Sequence, residues 1–375
     1  MMRYSPLRYP GGKGKISSFF SELFVANNLI GGTYIEPYVG GGSIALSLLI
    51  NGVANQIIIN DKDRSLFAFW YSILNYTDEF CQLIENTPIT IDTWYEQREI
   101  QKNKTNAELL SLGFSTFFLN RTNRSGIIKG GVIGGLNQTG NYLIDARYNS
   151  DDLKKRIKLI ALYKDKIELH NLDAVELIHN LQSNLPNNSL FYFDPPYYKK
   201  GKGLYMNYYD DQDHRDIYNA IAGLENIKWV VTYDKEDFIL DLYLKFRMYE
   251  YSLNYSAATV GKGQEYMIFS DNCYCSRKKF HKFQQGNNNL KLTLFTSWSI
   301  FIIYFIKAND CRSINKKFSI IQQTKKSPFF FCHFKINLHL CSALHFDKAR
   351  LFANFCRWHF LCPMVFYSSD PRVEC

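Results

Sequence analysis

From Met1 to Asn272 the chain has a single cysteine, Cys81, and the other eight fall between Cys273 and Cys375. One thiol cannot build a disulfide framework, and a front part so composed suits a reducing cytoplasm, where disulfides are rare. A bilayer-spanning run is missing as well. The apolar stretch Leu292–Ile306 has Thr and Ser inside it and falls short of the roughly 20 residues that a spanning helix needs. Met1–Lys15 is polar and glycine-rich rather than apolar, which argues against a secretory signal. No C-x-x-C pair occurs; Cys332, His339, Cys341 and His345, then Cys356, His359 and Cys362, lack paired spacing, so no metal site is expected.

Positive charge is scarce where a net charge of +9 would suggest plenty. Ser276–Cys375 holds 16 Lys+Arg against 4 Asp+Glu, which leaves 28 against 31, a net −3, for Met1–Cys275. Any contact of the front part with a polyanion must therefore come from local clusters and not from its overall charge. Glycine deserts the tail in turn: only Gly286 of the 22 lies beyond Asn272. With little turn chemistry and poor alternation, residues 273–375 are expected to be an appendage of unclear fold, disordered or a product of read-through.

What the front part does have is order. Thr33–Glu36 predicts a short strand, Gly40-Gly41-Gly42 a turn, and Ser43–Leu49 a helix with Ser43 as its N-cap. Gln56–Asn60 predicts a second strand that ends at Asp61. Strand, glycine turn, helix and strand begin a doubly wound parallel sheet. From about Asp63 to Lys166 the pattern is mainly helical, broken by the polar, glycine-rich stretch Asn123–Tyr142. Strand signals return at Lys166–His170, Ser189–Phe193, Lys228–Thr232 and Glu265–Phe269. The expected organisation is a sheet domain from residues 1–70 and 165–272, with a helical insertion over 71–164.

Four motifs carry chemistry. Asp194-Pro195-Pro196-Tyr197 follows the apolar run Leu190–Phe193, which would deliver it to the carboxyl edge of a parallel sheet, where ligand sites lie. A planar amine such as that of adenine is a poor nucleophile, because its lone pair is delocalised into the ring. Two acceptors aimed at its N–H groups, the Asp194 carboxylate and the Pro195 carbonyl, would localise that pair and stabilise the charge that develops on it. Tyr197 would offer a face on which an extruded base could stack. The blander reading is a strand-ending turn with a packed tyrosine. Glu36-Pro37-Tyr38-Val39-Gly40-Gly41-Gly42-Ser43 would let a ligand approach the backbone, or be only a tight turn. Tyr9-Pro10-Gly11-Gly12-Lys13 offers an aromatic ring and an ammonium for a ligand carboxylate, or a solvated loop lysine. Asp61 follows Gly42 at close to the roughly 20-residue spacing at which an acidic residue often accepts from ribose hydroxyls, or it merely caps a turn.

Taken together and in this order, the four motifs resemble the Dam-type family of DNA adenine-N6 methyltransferases over roughly Tyr4–Ser270. The resemblance implies a Rossmann-like S-adenosylmethionine-dependent methyltransferase sheet with a helical target-recognition insertion. It implies S-adenosyl-L-methionine as methyl donor, no metal, and double-stranded DNA as substrate, with adenine flipped out of the duplex. Catalysis would fall to Asp194, Pro195 and Tyr197, and cofactor binding to Tyr9, Lys13, Gly40, Gly42, Asp61 and Asp194. Phe117–Gly126 resembles the start of the family's recognition region, and Asn120, Arg121, Asn123, Arg124, Lys129 and Arg147 become the expected DNA contacts, arginines for phosphate or guanine and asparagines for adenine edges. Lys154, Lys155 and Arg156 suit the backbone or a solvated helix face equally. Gly261–Tyr266 resembles the closing segment, expected as a flexible loop near DNA, and Tyr233-Asp234 is expected beside the pocket. A cytoplasmic, bacterial or phage-encoded monomer fits, with room for a cognate restriction endonuclease. The rivals are a DNA-binding relative without catalysis and a methyltransferase acting on RNA or on a protein amide.

Overall fold

The computed structural model describes residues 3–8, 13–199, 209–255, 261–275 and 284–285. Met1–Asn288 forms one compact unit. Tyr9 and its glycine neighbours, the tail's cysteine–histidine pattern and the apolar run Leu292–Ile306 all lie outside the described residues.

The strands are β1 (Gly32–Glu36), β2 (Ala54–Asn60), β3 (Ile167–His170), β4 (Ser189–Phe193), β5 (Lys228–Asp234), β6 (Arg247–Tyr255), β7 (Gly261–Phe269) and the two-residue β8 (Gln284–Gln285). They form one sheet in the order β3-β2-β1-β4-β5-β7-β6-β8. Pairings among β1 to β5 are parallel, whereas β7 runs antiparallel between β5 and β6. The chain therefore winds outward from β1 through β2 to β3, then reverses to β4 beside β1. That reversal opens a cleft at the carboxyl ends of β1 and β4, the usual ligand position in such sheets.

β1 and β4 are buried at every position, as parallel strands with helices on both faces must be. The two-residue period sends alternate side chains into two cores. Tyr34, Ile57, Leu190 and Tyr192 pack with α1 (Ser17–Ala26), α2 (Ser43–Ile50) and α3 (Arg64–Asn75). Ile35, Ile58, Phe191 and Phe193 pack with α8 (Ala174–Leu181), α9 (Asp211–Ala222) and α10 (Asp237–Leu242).

Between β2 and β3 run α3, α4 (Thr77–Asn86), α5 (Ile91–Lys102), α6 (Leu109–Thr122) and α7 (Ser150–Ala161). Their apolar side chains, among them Phe69, Phe80, Phe117 and Ile157, continue the first core without a break. Helix starts follow side-chain chemistry: Asp63, Thr90, Asn149 and Asp173 each accept from a backbone N–H of the turn they open, and Asp210 forms a capping box with Asp213. Ser43 is not the cap expected of it. Gly42 holds that position at φ 59°, and Ser43 is the first helical residue.

Two strand expectations are corrected. β6 has no counterpart among the strands expected from the sequence, and Gly261–Gln264, expected as a loop, is the first half of β7. Its partner is an edge hairpin arm rather than a buried parallel strand, so its sequence carries no continuous apolar run. No helix among the described residues is long and apolar enough to cross a membrane.

The tightest helix contact is at Gly113 on α6, where an added Cβ would lie 2.5 Å from both the Ala68 carbonyl oxygen and Ser72 Oγ of α3. Overpacking of this kind costs about 1–3 kcal/mol. Gly113→Val should lower the unfolding free energy by at least that much, read as a shift of the urea midpoint at unchanged m value.

Candidate active site

Four carboxylates gather at the cleft. Glu36 closes β1, Asp61 follows β2, Asp194 follows β4, and Glu265 comes from the middle of β7. Lys13, in the 3-10 turn Lys13–Ile16, reaches between Asp194 and Glu265 and is 7 % exposed. Its Nζ lies 2.7 Å from Glu265 Oε2 and 3.2 Å from Asp194 Oδ1. The Tyr197 and Tyr251 hydroxyls each stand 3.3 Å from the same nitrogen. Both hydroxyls donate to Glu265, Tyr197 to Oε1 and Tyr251 to Oε2. Tyr251 is placed for this by strand register, directly opposite Glu265 across the β6–β7 pair.

Asp194 is held asymmetrically. Oδ1 accepts from Thr232 Oγ1 at 2.7 Å as well as from Lys13, and the Thr232 hydroxyl in turn accepts from Tyr192 at 2.9 Å. Oδ2 has no partner among the described residues, and the side chain keeps 21 % of its surface exposed. Electrostatics follow the geometry. Burial opposes the Lys13 charge, but Asp194 and Glu265 outweigh it and raise the ammonium pKa. Burial raises Asp194 despite Lys13, with Glu265 adding to the rise. For Glu265 burial is outweighed by Lys13 and its hydrogen bonds, and the pKa falls. Glu36 is pushed well up by burial and then by Asp194, which favours its neutral form.

Asp61 sits one strand over. Its Oδ2 accepts from the Gly40 N–H at 3.1 Å and its Oδ1 from the Asp63 N–H at 3.0 Å. Burial, then the Asp63 charge, pushes it to about 7, although one edge of the side chain remains open to solvent. The glycine turn is backed by α3: Trp70 Nε1 donates to the Gly40 carbonyl at 3.1 Å. A Cβ on Gly42, at φ 59°, would lie 2.8 Å from the Trp70 ring. Gly42 is thus required by the indole behind it, where the sequence suggests a ligand. Asn60, fully buried, joins the loops after β1 and β3 through Pro37 O, Leu172 O and Leu172 N.

Several expected roles change. Lys13 is expected to hold a ligand carboxylate, but an ammonium has three N–H donors and this one already faces two carboxylates and two phenols. Tyr197, expected to present its ring to a base, is 4 % exposed with its hydroxyl engaged. Asn120 and Asn123 are expected on adenine edges, yet both are buried. Asn120 binds Arg8 N, Arg8 O and Gly126 O, while Asn123 accepts from Trp94 Nε1 and donates to Ile127 O and Ile128 O. They fasten the loop after α6 and have no edge left for a base. Arg121 is half-buried, donating to Pro6 O and Arg147 O, and burial with neighbouring Arg8 lowers it to about 10. Lys154 pairs with Glu85 and Arg156 with Asp152. Arg124, Lys129 and Arg147 do project outward, Arg147 over the Tyr142 ring at 5.3 Å. Asp234, expected beside the pocket, accepts from Tyr198 N and Lys199 N and so shapes the loop after Tyr197.

Sequence reasoning misses Glu265, Tyr251, Thr232 and Asn60 as parts of this site. Removing the Asn120 amide would orphan three backbone groups, each worth about 1–3 kcal/mol when buried. Asn120→Ala should therefore destabilise the protein by roughly 3 kcal/mol in thermal or urea unfolding.

Comparisons with known proteins bear on this arrangement. The chain is 26% identical over 223 residues to the Type II methyltransferase M.MjaIII of Methanocaldococcus jannaschii, covering 56% of this chain and 74% of that protein. Among solved structures it is similar to a putative RNA methyltransferase of Pyrococcus horikoshii, at 10% identity and TM-score 0.33, covering 71% of this chain and 88% of that one. Another is SMU.472, a putative methyltransferase complexed with SAH, at 10% identity and TM-score 0.31, covering 71% and 54%. The family described as D12 class N6 adenine-specific DNA methyltransferase matches residues 9–257, most of the chain, and the protein belongs to that family.

Proposed function

We propose that the enzyme transfers a methyl group from S-adenosylmethionine to the N6 amine of an adenine extruded from double-stranded DNA, with Asp194 as the acceptor that activates the amine. The observation that carries this is the asymmetry of Asp194: one carboxylate oxygen is clamped by Lys13 and Thr232, while the other has no partner among the described residues on a side chain that keeps 21 % of its surface exposed. Oδ2 and the Pro195 carbonyl would take the two N–H bonds, localising the nitrogen lone pair and stabilising the positive charge it acquires. The new nitrogen–carbon bond would use that lone pair while the donor's methyl–sulfur bond breaks with its electron pair left on sulfur, giving S-adenosylhomocysteine, and the N6 proton would leave toward Oδ2.

The donor supplies an electrophilic methyl on a sulfonium. The residues at β2 fit its adenosine half: Asp61 has spare acceptor capacity on an open edge, and Gly40 orients it. Lys13 does not fit the methionyl carboxylate, for the reason given above. Arg124, Lys129 and Arg147, exposed on and beside the glycine-rich stretch before α7, are assigned to DNA phosphates. The helices α4–α7 are assigned target recognition. A cognate restriction endonuclease is the partner that the Type II name of the archaeal relative suggests.

Asp194→Ala should cut single-turnover methylation by about 10³-fold in protein shown to be folded; turnover within tenfold of wild type would refute the assignment. Asn120→Ala, whose lost amide faces backbone rather than DNA, should leave the methylated sequence unchanged in methylation-aware sequencing below the melting temperature. For Asp61 the direction with pH follows from its pKa near 7. Ribose hydroxyls donate to the ionised form, so binding strengthens as pH rises through that value. S-adenosylhomocysteine should bind about fivefold more tightly at pH 8 than at pH 6 by calorimetry, and Asp61→Asn should flatten the dependence.

A further inference from the structure

The buried side of the site is more elaborate than a lone acceptor needs. Glu265 is 1 % exposed, accepts from Lys13 and two tyrosines, and lies on a strand that the catalytic motif does not touch in sequence. Lys13 stands between it and Asp194, nearer to Glu265 (2.7 against 3.2 Å). A cation shared unequally between two carboxylates leaves the second only part of its charge. We propose that Glu265 and Lys13 are positioning residues for Asp194: Glu265 anchors the ammonium, and the ammonium pins Oδ1 so that Oδ2 alone faces the amine and stays basic enough to take its proton. The proposal rests on the assignment of Asp194 as the acceptor.

The alternative occupation of Lys13, by the donor's carboxylate, would require it to leave at least one of its present partners. Each exchange would withdraw the ammonium from a buried carboxylate or from a phenol bonded to one, and removing one partner of a buried ion pair costs more than a surface ion pair returns. Among the described residues, the groups that face Asp194 are few enough to name. Lys13 approaches from the 3-10 turn, Tyr34 and Glu36 from β1, Tyr192 from β4, Thr232 and Tyr233 from β5, Tyr251 from β6 and Glu265 from β7. Of these only Lys13 carries positive charge. Removing Glu265's charge would concentrate the ammonium on Asp194 and make its carboxylate easier to ionise; removing the ammonium would do the reverse.

Two isosteric or near-isosteric substitutions therefore have opposite signatures. Single-turnover rate against pH, under saturating donor and duplex, reports the ionisation of the acceptor in its acid limb. In Glu265→Gln that limb should move down by about one pH unit; in Lys13→Gln it should move up by a similar amount, with a lower plateau. Donor affinity, measured by calorimetry with S-adenosylhomocysteine, should change less than about threefold in both. A purely structural role would lower thermal stability and scale the rate without moving the limb, and that outcome overturns the proposal. Loss of donor binding in Lys13→Gln with the limb unmoved also overturns it, by assigning Lys13 to the donor. Asp194→Asn separates the underlying assignment from this one: if it remains active, the acceptor itself is wrong, whereas if it is inactive and neither limb moves, only the positioning role fails.

Discussion

The site is organised by one buried ammonium shared between two carboxylates. Two negative charges at a sheet edge, with Glu36 close by, would repel one another and push water in. Lys13 offsets the repulsion, and Tyr197 and Tyr251 add hydrogen bonds to Glu265. A buried charge cluster is a poor source of net stability, so its presence here points to geometry. It joins the 3-10 turn at the front of the chain, the end of β4 and the β6–β7 hairpin, three segments far apart in sequence. Those segments meet only if the sheet has its observed order, with β7 inserted antiparallel beside β5.

The second constraint is mechanical. The glycine turn after β1 holds its shape because α3 places Trp70 behind it, bonding Gly40 and leaving no room for a side chain at Gly42. α3 is also capped by Asp63, close behind Asp61 in the chain. The helix that opens the long run between β2 and β3 thus sets both the turn and the acidic residue across from it. Asn60 completes the arrangement by tying the loops after β1 and β3 to the end of β2. The helices between β2 and β3 and the glycine turn share one packed core through Phe69, Trp70 and Phe117, so a change of packing among those helices would be felt at the turn.

The elements that follow from the sequence are those whose signal is local. β1, β2, β4 and β5 lie inside the sheet and show as continuous apolar runs, and the Gly-rich turn and the Asp-Pro-Pro-Tyr end are marked by residues with few other uses. β6 has no continuous apolar run, but Tyr249, Tyr251, Leu253 and Tyr255 alternate with Glu250, Ser252 and Asn254, a strand signal that the expected strands leave out. Glu265 is hidden for another reason. A glutamate on a hairpin strand has every appearance of a solvent-facing residue until the register sets Tyr251 opposite and Lys13 in front of it. The asparagines of α6 and its end mislead in the other direction. Asn120 and Asn123 have side chains suited to adenine edges, but amides suit exposed backbone groups equally, and the loop after α6 leaves several of those to be satisfied. Residue type tells what a side chain can bind; burial decides what it does bind.

The charge balance ties site and substrate together. Met1–Cys275 carries a net −3, and the site sets Asp194 and Glu265 against the ammonium of Lys13, with Asp61 one strand over. Such a pocket repels a phosphodiester strand and favours a cationic donor and a neutral base. An adenine rotated out of its stack would bring only its uncharged ring into that field while its phosphates stay outside it; Arg124, Lys129 and Arg147 are exposed on and beside the glycine-rich stretch before α7. An acidic centre and exposed basic residues elsewhere on the surface are therefore not in conflict. The difference of potential between them would select for a base that leaves the helix, and would disfavour any mode in which the backbone descends into the cleft.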